Sequence, residues 1–188
     1  RFEMTMNDRI NSCVHVGRML LDTFAEISHP ALESFRSALG RAEIENPWFT
    51  QDNIRSAVTM IAQTLTRDNL NKWMEKYSGH DLDKVDPLSI GVIMAGNIPM
   101  AGFHDLLCVL MSGNRLIGKL SSKDTVLLEG IGDLLKTTDS GWGKYIFFTK
   151  DILSSFDGII ATGSNNSSKY FEYYFGKYPN IIRKNRNS

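Results

Sequence analysis

The residues GVIMAGNIPM, numbers 91–100, join an apolar run to a segment of helical pattern. The apolar run begins at Ile90 and ends at Met94, and the turn AGNIP, residues 95–99, leads directly into the helical segment. A buried strand that enters a helix through a glycine-containing turn is typical of nucleotide-binding α/β folds. This turn lacks the G-x-G-x-x-G spacing of the common dinucleotide-binding sequence, so the role of its asparagine must be inferred from the rest of the chain.

Downstream of this turn, short apolar runs alternate with segments of helical period. The predicted strands lie near residues 89–94, 115–119, 145–148, 158–161 and 180–183, and the predicted helices lie near residues 99–111, 124–136 and 165–175. This alternation predicts an α/β fold with an open, mainly parallel, Rossmann-like sheet and helices on both faces. Ligands of such sheets bind at the carboxyl ends of the strands.

Upstream of the turn, residues 1–80 are predicted to be nearly all helix. Pro30 suits the first turn of the second helix, and Thr50 and Thr66 are predicted N-caps of the third and fourth. The polar stretch SGHDLDKVDP, residues 78–87, separates the helical pattern from the alternating pattern of strands and helices. The predicted organisation is therefore a helical lead segment, residues 1–80, followed by a nucleotide-binding α/β domain, residues 81–188.

The composition of the chain disfavours nucleic acids and membranes as its binding partners. The chain has 188 residues with 21 Lys and Arg and 21 Asp and Glu, so it lacks the basic field of a nucleic-acid-binding protein. It contains no apolar run of the roughly 20 residues that span a membrane, and no secretory signal, so we predict a cytoplasmic protein. Because the chain begins with Arg1 and ends on a polar run without a helix stop, we expect it to be a fragment.

Three strand-end turns carry the residues suited to bind a ligand. They are AGNIP, residues 95–99, KLSSKD, residues 119–124, and ATGSNNS, residues 161–167. Each follows a predicted strand, and parallel strands bring their carboxyl ends to one edge of the sheet. The sequence therefore predicts a ligand site where the three turns meet.

The last of these turns resembles a phosphate site. Gly163 and Ser164 precede a predicted helix, whose free N–H groups and dipole favour a phosphate. The alternative is that Ser164 or Asn165 only caps the helix. Both interpretations stay open at this point.

The other two turns offer hydrogen-bond donors of different kinds. Lys119, with Ser121 and Ser122, suits ribose hydroxyls or an adenosine 2′-phosphate, although a lysine at a strand end is often simply solvated. The Asn97 amide is a neutral donor that could stabilise an oxyanion, with Pro99 stiffening the turn that holds it. The alternative is an asparagine chosen because it tolerates tight turns.

Taken in order, the motifs AGNIP, MSGNRLIGKLSS and IIATGSNNS resemble the nucleotide-binding domain of the aldehyde dehydrogenase superfamily. In that domain a strand enters an Asn-x-Pro turn, a later strand ends in Lys-Pro-Ser, and a Thr-Gly-Ser turn follows. Here no tryptophan precedes Asn97, and Leu120 replaces the proline after Lys119. With KLSSKD, YFEYYFGKYP and IIRKNRNS, these departures look most similar to the fatty acyl-CoA reductase branch, the LuxC-like family. The resemblance covers residues 45–188.

The resemblance implies a role for each turn. Asn97 would donate its amide to the oxyanion of a thiohemiacetal formed on a catalytic cysteine. The second turn would face the adenosine ribose and the third the pyrophosphate. The implied cofactor-binding residues are Ala95, Gly96, Lys119, Ser121, Ser122, Gly163 and Ser164.

The implied reaction is NAD(P)H-dependent reduction of a long-chain acyl-CoA thioester to an aldehyde through a cysteine acyl-enzyme. The resemblance places that cysteine in a second, downstream domain, so this chain alone is predicted to be inactive. We expect NADPH as cofactor, with NADH as the alternative, and no metal. The implied partners are an acyl-CoA substrate, an acyl-activating or acyl-transferring protein, and further copies of the full-length chain. Two other functions stay open: an aldehyde-oxidising dehydrogenase, which needs a general base for deacylation, and a non-catalytic nucleotide-binding module.

Two further patterns are interpreted as core. Cys13 and Cys108 sit in apolar helical patterns, which predicts buried, reduced thiols rather than a disulfide or metal cluster. Burial would raise the pKa of the Cys108 thiol, so we expect Cys108→Ala to leave the complete enzyme active. Tyr170 and Tyr174, with their phenylalanine neighbours in YFEYYF, recur at helical spacing and are predicted to pack in the core.

Overall fold

The computed structural model of the protein describes residues 4–80, 82–83 and 86–184. The lead segment forms four helices: α1 (Met6–Asp22), α2 (Pro30–Glu45), α3 (Gln51–Thr64) and α4 (Arg67–Glu75). Pro30 opens α2, and the hydroxyls of Thr50 and Thr66 accept backbone N–H groups at the starts of α3 and α4, as predicted. In the described part of the chain, no helix has the length and apolar character needed to cross a membrane.

The α/β part follows the predicted order of strands and helices. Its elements are β1 (Ser89–Ile93), α5 (Phe103–Met111), β2 (Arg115–Lys119), α6 (Val126–Thr138), a 3₁₀ turn (Ser140–Lys144), β3 (Ile146–Thr149), β4 (Gly158–Gly163), α7 (Asn165–Phe175) and β5 (Asn180–Lys184). The described strands form one parallel sheet in the order β3-β2-β1-β4-β5. The prediction of an open, parallel α/β sheet preceded by helices is confirmed.

The chain changes direction across the sheet at β1. It first builds outward through β2 to β3, and then returns to place β4 and β5 on the other side of β1. Such a reversal opens a crevice at the carboxyl ends of the two strands that flank it. The strand order therefore favours a ligand site after β1.

The hydrophobic core is continuous between the helical layer and the sheet. One cluster of buried side chains includes Leu20 of α1, Phe35 of α2 and Leu127 of α6. The helices α2 and α6 touch closely, since a Cβ on Gly130 would lie 2.8 Å from the Phe35 ring. The lead segment thus covers the sheet helices, and a domain boundary near residue 80 stays a prediction.

The helix after β1 begins later than predicted. Its predicted start was residue 99, whereas α5 begins at Phe103. Met100 adopts a left-handed backbone conformation, with φ 57°, which interrupts a helix. Gly102 lies so close to Met94 that an added Cβ would be 2.8 Å from that side chain. Residues 97–102 therefore form an irregular turn.

The predicted core packing of the YFEYYF tyrosines is wrong. Tyr170 and Tyr174 are 66% and 60% exposed, and Ser168 is the buried residue of α7. Phe175 does pack, with its ring centroid 5.8 Å from that of Phe156. The helix rests on β4 and β5 at one end of the sheet, so only a narrow stripe of it is covered. Residues 185–188, the end of the IIRKNRNS motif, lie outside the described residues.

Candidate functional site

The sheet register brings the ends of three strands together. Ile93, the last residue of β1, pairs with Lys119 of β2 on one side and with Ala161 of β4 on the other. The three predicted turns therefore leave from neighbouring strands at the carboxyl edge. The expected convergence is present, although the turns differ in how closely they approach one another.

The first and second turns are in direct contact. The Met94 N–H donates to the Lys119 carbonyl at 3.0 Å and extends the pairing of β1 with β2. A Cβ on Gly96 would lie 2.3 Å from the Ser121 Oγ and 2.5 Å from the Ser121 Cβ. Only glycine fits there, because any side chain would push the two turns apart. Ala95, next to it, is half-buried.

Asn97 lies at the exposed crest of the first turn. Its neighbour Ile98 is also exposed, and Pro99 is half-buried behind them. The chain then re-enters the core at Met100, which is 3% exposed. The Asn97 amide is therefore accessible to a ligand on a turn that is anchored at both ends.

Asp124, which sequence reasoning did not single out, anchors one end of this turn. Its Oδ2 accepts a hydrogen bond from the Met100 N–H at 2.5 Å, and the residue is 3% exposed. Its Oδ1 has no hydrogen-bond partner among the described residues. Burial raises the pKa of Asp124 to about 6, against the opposing effect of nearby backbone N–H groups. An acid before a predicted helix usually indicates a solvated helix start, so its burial could not be read from the local pattern.

A cavity of about 330 Å³ opens beside the second turn. It is lined by Ile93, Met94, Lys119, Leu120, Ser121, Ser122 and Lys150. Three of the predicted cofactor-binding residues thus share one wall. We call this space the lysine cavity.

Lys119 is held in place rather than freely solvated. Its Nζ donates to the carbonyl oxygens of Lys150 and Asp151 at 2.8 and 2.9 Å. An ammonium has three N–H groups, so one remains for a ligand in the cavity. The Ser121 Oγ accepts from the Lys123 N–H at 3.2 Å, which leaves its own hydrogen free to donate. The Lys119 ammonium and the Ser121 hydroxyl are therefore hydrogen-bond donors that contacts within the chain hold in place.

Lys150 is a second cation of the lysine cavity that sequence reasoning missed. It follows β3, and β3 pairs with β2, so its loop lies beside Lys119. No aspartate or glutamate is among the described residues that line the cavity. Two lysines and two serines among the lining residues supply donor types suited to a phosphate.

The third turn lies on the other side of β1 and does not line the lysine cavity. The Ser164 Oγ accepts from the Ser167 N–H at 3.2 Å, so Ser164 caps α7. A Cβ on Gly163 would lie 2.8 Å from the Phe171 ring and from the Ser167 side chain, so packing within the chain already requires glycine. A phosphate-binding role for Gly163 and Ser164 stays a prediction.

Cys108 is half-buried, not fully buried as predicted, whereas Cys13 is buried. The Cys108 Sγ lies 3.6 Å from the Nε2 of His104, one helical turn earlier on α5. Burial, reinforced by the Asp105 carboxylate, raises the pKa of the Cys108 thiol. A raised pKa lowers the fraction of thiolate, which is the reactive form.

A larger cavity lies at the opposite, amino edge of the sheet. Its volume is about 790 Å³, and it is lined by Met4, Thr5, Asp8, Pro87, Arg115, Asp139, Ser140, Gly141, Lys144 and Tyr145. None of the three predicted turns reaches it. Parallel sheets bind ligands at the carboxyl ends of their strands, so the smaller lysine cavity is the better candidate.

The fold can be compared with solved structures. A glyceraldehyde-3-phosphate dehydrogenase, GapN, from Methanocaldococcus jannaschii, complexed with NADP, matches 95% of this chain and 41% of its own with a TM-score of 0.68 at 12% identity. Aldehyde dehydrogenase 21 from Physcomitrella patens matches 100% of this chain and 45% of its own, with a TM-score of 0.62 at 14% identity. The fold is that of the aldehyde dehydrogenases.

A third structure agrees with this assignment of the aldehyde dehydrogenase fold. It is an NAD-dependent benzaldehyde dehydrogenase from Corynebacterium glutamicum, with a TM-score of 0.57 at 12% identity, matched over 96% of this chain and 41% of its own. The chain spans less than half the length of each of these structures. No family model and no curated protein matches the sequence.

Proposed function

We propose that this chain is the nucleotide-binding part of an NADPH-dependent reductase that converts a long-chain acyl-CoA thioester to an aldehyde. The observation that carries the proposal is the contact between the Asn97 turn and the turn of the lysine cavity. It joins an exposed amide donor to a cationic pocket at the carboxyl edge. The likeness to aldehyde dehydrogenases, one of them complexed with NADP, supports a nicotinamide cofactor.

The donors of the lysine cavity favour NADPH over NADH. Sites for NADH place a carboxylate against the 2′-hydroxyl of the adenosine ribose, and sites for NADPH place a cation near the 2′-phosphate. The lysine cavity has Lys119 and Lys150, and no carboxylate among its described lining residues. Ser121 and Ser122 add hydroxyl donors for the ribose or the phosphate.

The role of Asn97 follows from the charge that develops during the reaction. Attack of a cysteine thiolate on the thioester carbonyl forms a tetrahedral oxyanion, and its collapse expels the CoA thiolate to leave an acyl-enzyme. Asn97 would donate its amide N–H to the oxyanion, and such a donor is worth about 100-fold to 1,000-fold in kcat. When bound, the reduced nicotinamide supplies the hydride that converts the acyl-enzyme to the aldehyde. The resemblance to acyl-CoA reductases implies a nucleophilic cysteine in a downstream domain, and the raised pKa of Cys108 disfavours that thiol as the nucleophile.

The test is NADPH consumption by the full-length protein after addition of a long-chain acyl-CoA. Asn97→Ala should lower kcat by about 100-fold or more, because one oxyanion donor is lost. Its Kd for NADPH should change by less than about twofold, because Asn97 does not line the lysine cavity. Asn71→Ala, which removes an exposed amide from α4, is the matched control and should have full activity.

Three results are informative. Acyl-CoA-dependent consumption that requires Asn97 supports the proposal. Consumption of NADP⁺ with aldehydes and none of NADPH with acyl-CoA would make the protein an aldehyde-oxidising dehydrogenase. Nucleotide binding with neither activity would indicate a non-catalytic module. Self-association and an acyl-transferring partner stay part of the proposal, to be tested on the same full-length protein.

A further inference from the structure

Asp124 connects the two turns that form the candidate site. Its backbone belongs to the second turn, where the Asp124 N–H donates to the Ser121 carbonyl at 3.1 Å. Its side chain reaches the first turn, where Oδ2 accepts from the Met100 N–H at 2.5 Å. One buried residue therefore fixes the position of one turn relative to the other.

This connection fixes the segment that carries Asn97. On one side of Asn97, Gly96 fits closely against the Ser121 side chain. On the other side, Met100 is held by Asp124 in a left-handed conformation that a residue with a side chain adopts only when its surroundings impose it. Asn97, Ile98 and Pro99 lie between these two attachments, so their path depends on both.

The hydrogen bond from the Met100 N–H to Asp124 is made in a buried position. Asp124 is 3% exposed, and besides the Met100 N–H its carboxylate is influenced by the Leu127 N–H in the first turn of α6. Burial removes the competition of water for this hydrogen bond, and a carboxylate or a carboxamide oxygen can accept the Met100 N–H there. Asp124 therefore acts on the candidate site through this hydrogen bond, which holds one turn against the other.

We propose that Asp124 is a positioning residue, which orients the Asn97 amide toward the reacting carbonyl by holding the Met100 N–H. The inference rests on the proposed function, because it assigns to Asp124 a reaction step that acts through Asn97. Asp124 itself does not touch the substrate or the cofactor. Its effect should therefore appear in kcat and not in nucleotide affinity.

Two variants of the full-length enzyme test this role. Asp124→Ala releases the Met100 N–H and should lower kcat by about tenfold or more, because small displacements of a catalytic group have large effects. The KM for acyl-CoA and the Kd for NADPH should stay within about twofold. Asp124→Asn keeps an acceptor oxygen and should restore kcat to within about threefold of the parent.

A double-mutant cycle distinguishes positioning from a general structural role. In an Asn97→Ala background, Asp124→Ala should lower kcat by less than about twofold, because the group it positions is gone. Asp105→Asn is the matched control, since Asp105 is another buried carboxylate, paired with Arg183 of β5. Its effect on kcat, whatever its size, should be the same in both backgrounds.

The outcomes are separable from those of the proposed function. Equal losses of kcat from Asp124→Ala in the two backgrounds, or a full-activity Asp124→Ala variant, would overturn the positioning role. If Asp124→Ala does not fold, Asp124→Asn is measured in the same cycle. Amide exchange at Met100 gives a readout without turnover: it should be slow in the parent and in Asp124→Asn, and fast in Asp124→Ala. Slow exchange in all three contradicts the link itself, even if the enzyme reduces acyl-CoA.

Discussion

The two edges of the sheet differ in both the size and the chemistry of their cavities. The amino edge holds the larger cavity, about 790 Å³, and the carboxyl edge the smaller, about 330 Å³. The larger cavity is lined by charges of both signs, with Asp8 and Asp139 facing the same space as Arg115 and Lys144. The smaller one collects lysines and serines without a carboxylate among its described lining.

Topology and donor chemistry, rather than volume, favour the carboxyl edge as the candidate site. In a parallel sheet, each strand delivers its following turn to the carboxyl edge, where the next helix also begins. Free backbone N–H groups and helix dipoles therefore collect there and favour anions. The cavity at the amino edge instead combines acidic and basic side chains, which makes it less suited to an anion than the lysine cavity.

Removing the buried charge at the carboxyl edge should have the largest effect on stability. The pKa of Asp124 is raised to about 6 from 3.8, so between these values the folded protein holds a proton that the unfolded chain releases. Stability from this group is therefore present below about pH 4 and is lost as pH rises through 6. The free energy of unfolding of Asp124→Asn, relative to that of the parent, should rise by up to about 3 kcal/mol as the pH rises from 4 to 7. Urea unfolding at a series of pH values measures it.

Two results would count against this expectation. A constant difference between Asp124→Asn and the parent across this pH range would show that the pKa of Asp124 is not raised by folding. A difference in free energy of unfolding that moves in favour of the parent as pH rises would show that folding lowers the pKa of Asp124 instead.

Reversing one charge at each edge tests the comparison directly. Lys150→Glu places a carboxylate in the lysine cavity and should raise the Kd for NADPH by roughly 30-fold, which is about 2 kcal/mol. Lys144→Glu makes the same change in the amino-edge cavity and should alter that Kd by less than about twofold. Isothermal titration calorimetry with both variants gives the two values. A loss of NADPH affinity in Lys144→Glu alone would indicate that the nucleotide binds at the amino edge.

A methyl group added at each edge should have the smallest effect. Gly96→Ala forces the first turn away from Ser121 and should lower the free energy of unfolding by about 1–2 kcal/mol, with weaker NADPH binding. Gly143→Ala is the matched change, because nothing lies within 4 Å of the added atom. It should leave stability and affinity unchanged in thermal melts and titrations. Equal effects of the two substitutions would show that the contact between the turns is unimportant.

The sequence predicts most of the secondary structure because local patterns determine it. The described strands lie close to their predicted positions, and α7 begins at Asn165 and ends at Phe175 as expected. The cap at Ser164 was one of two open interpretations, and it was recoverable from a serine before a helical run. The three turns also met at one edge, since that follows from a parallel sheet.

The missed features depend on contacts between distant parts of the chain. The late start of α5 follows from the bond between Met100 and Asp124, which are separated by 24 residues. Lys150 joins Lys119 only because β3 pairs beside β2, and the strand order was not predicted. The exposure of Tyr170 depends on what covers α7, which an apolar stripe in the sequence does not specify.

Hydrogen–deuterium exchange of the full-length protein, with and without NADPH, tests the location of the site most directly. We expect slower exchange in peptides covering residues 94–101 and 119–125, where the Asn97 turn meets the lysine cavity. Residues 139–145, at the amino-edge cavity, should exchange at the same rate in both samples. Protection of residues 139–145 without any change in residues 94–101 and 119–125 would contradict the assignment of the nucleotide to the carboxyl edge.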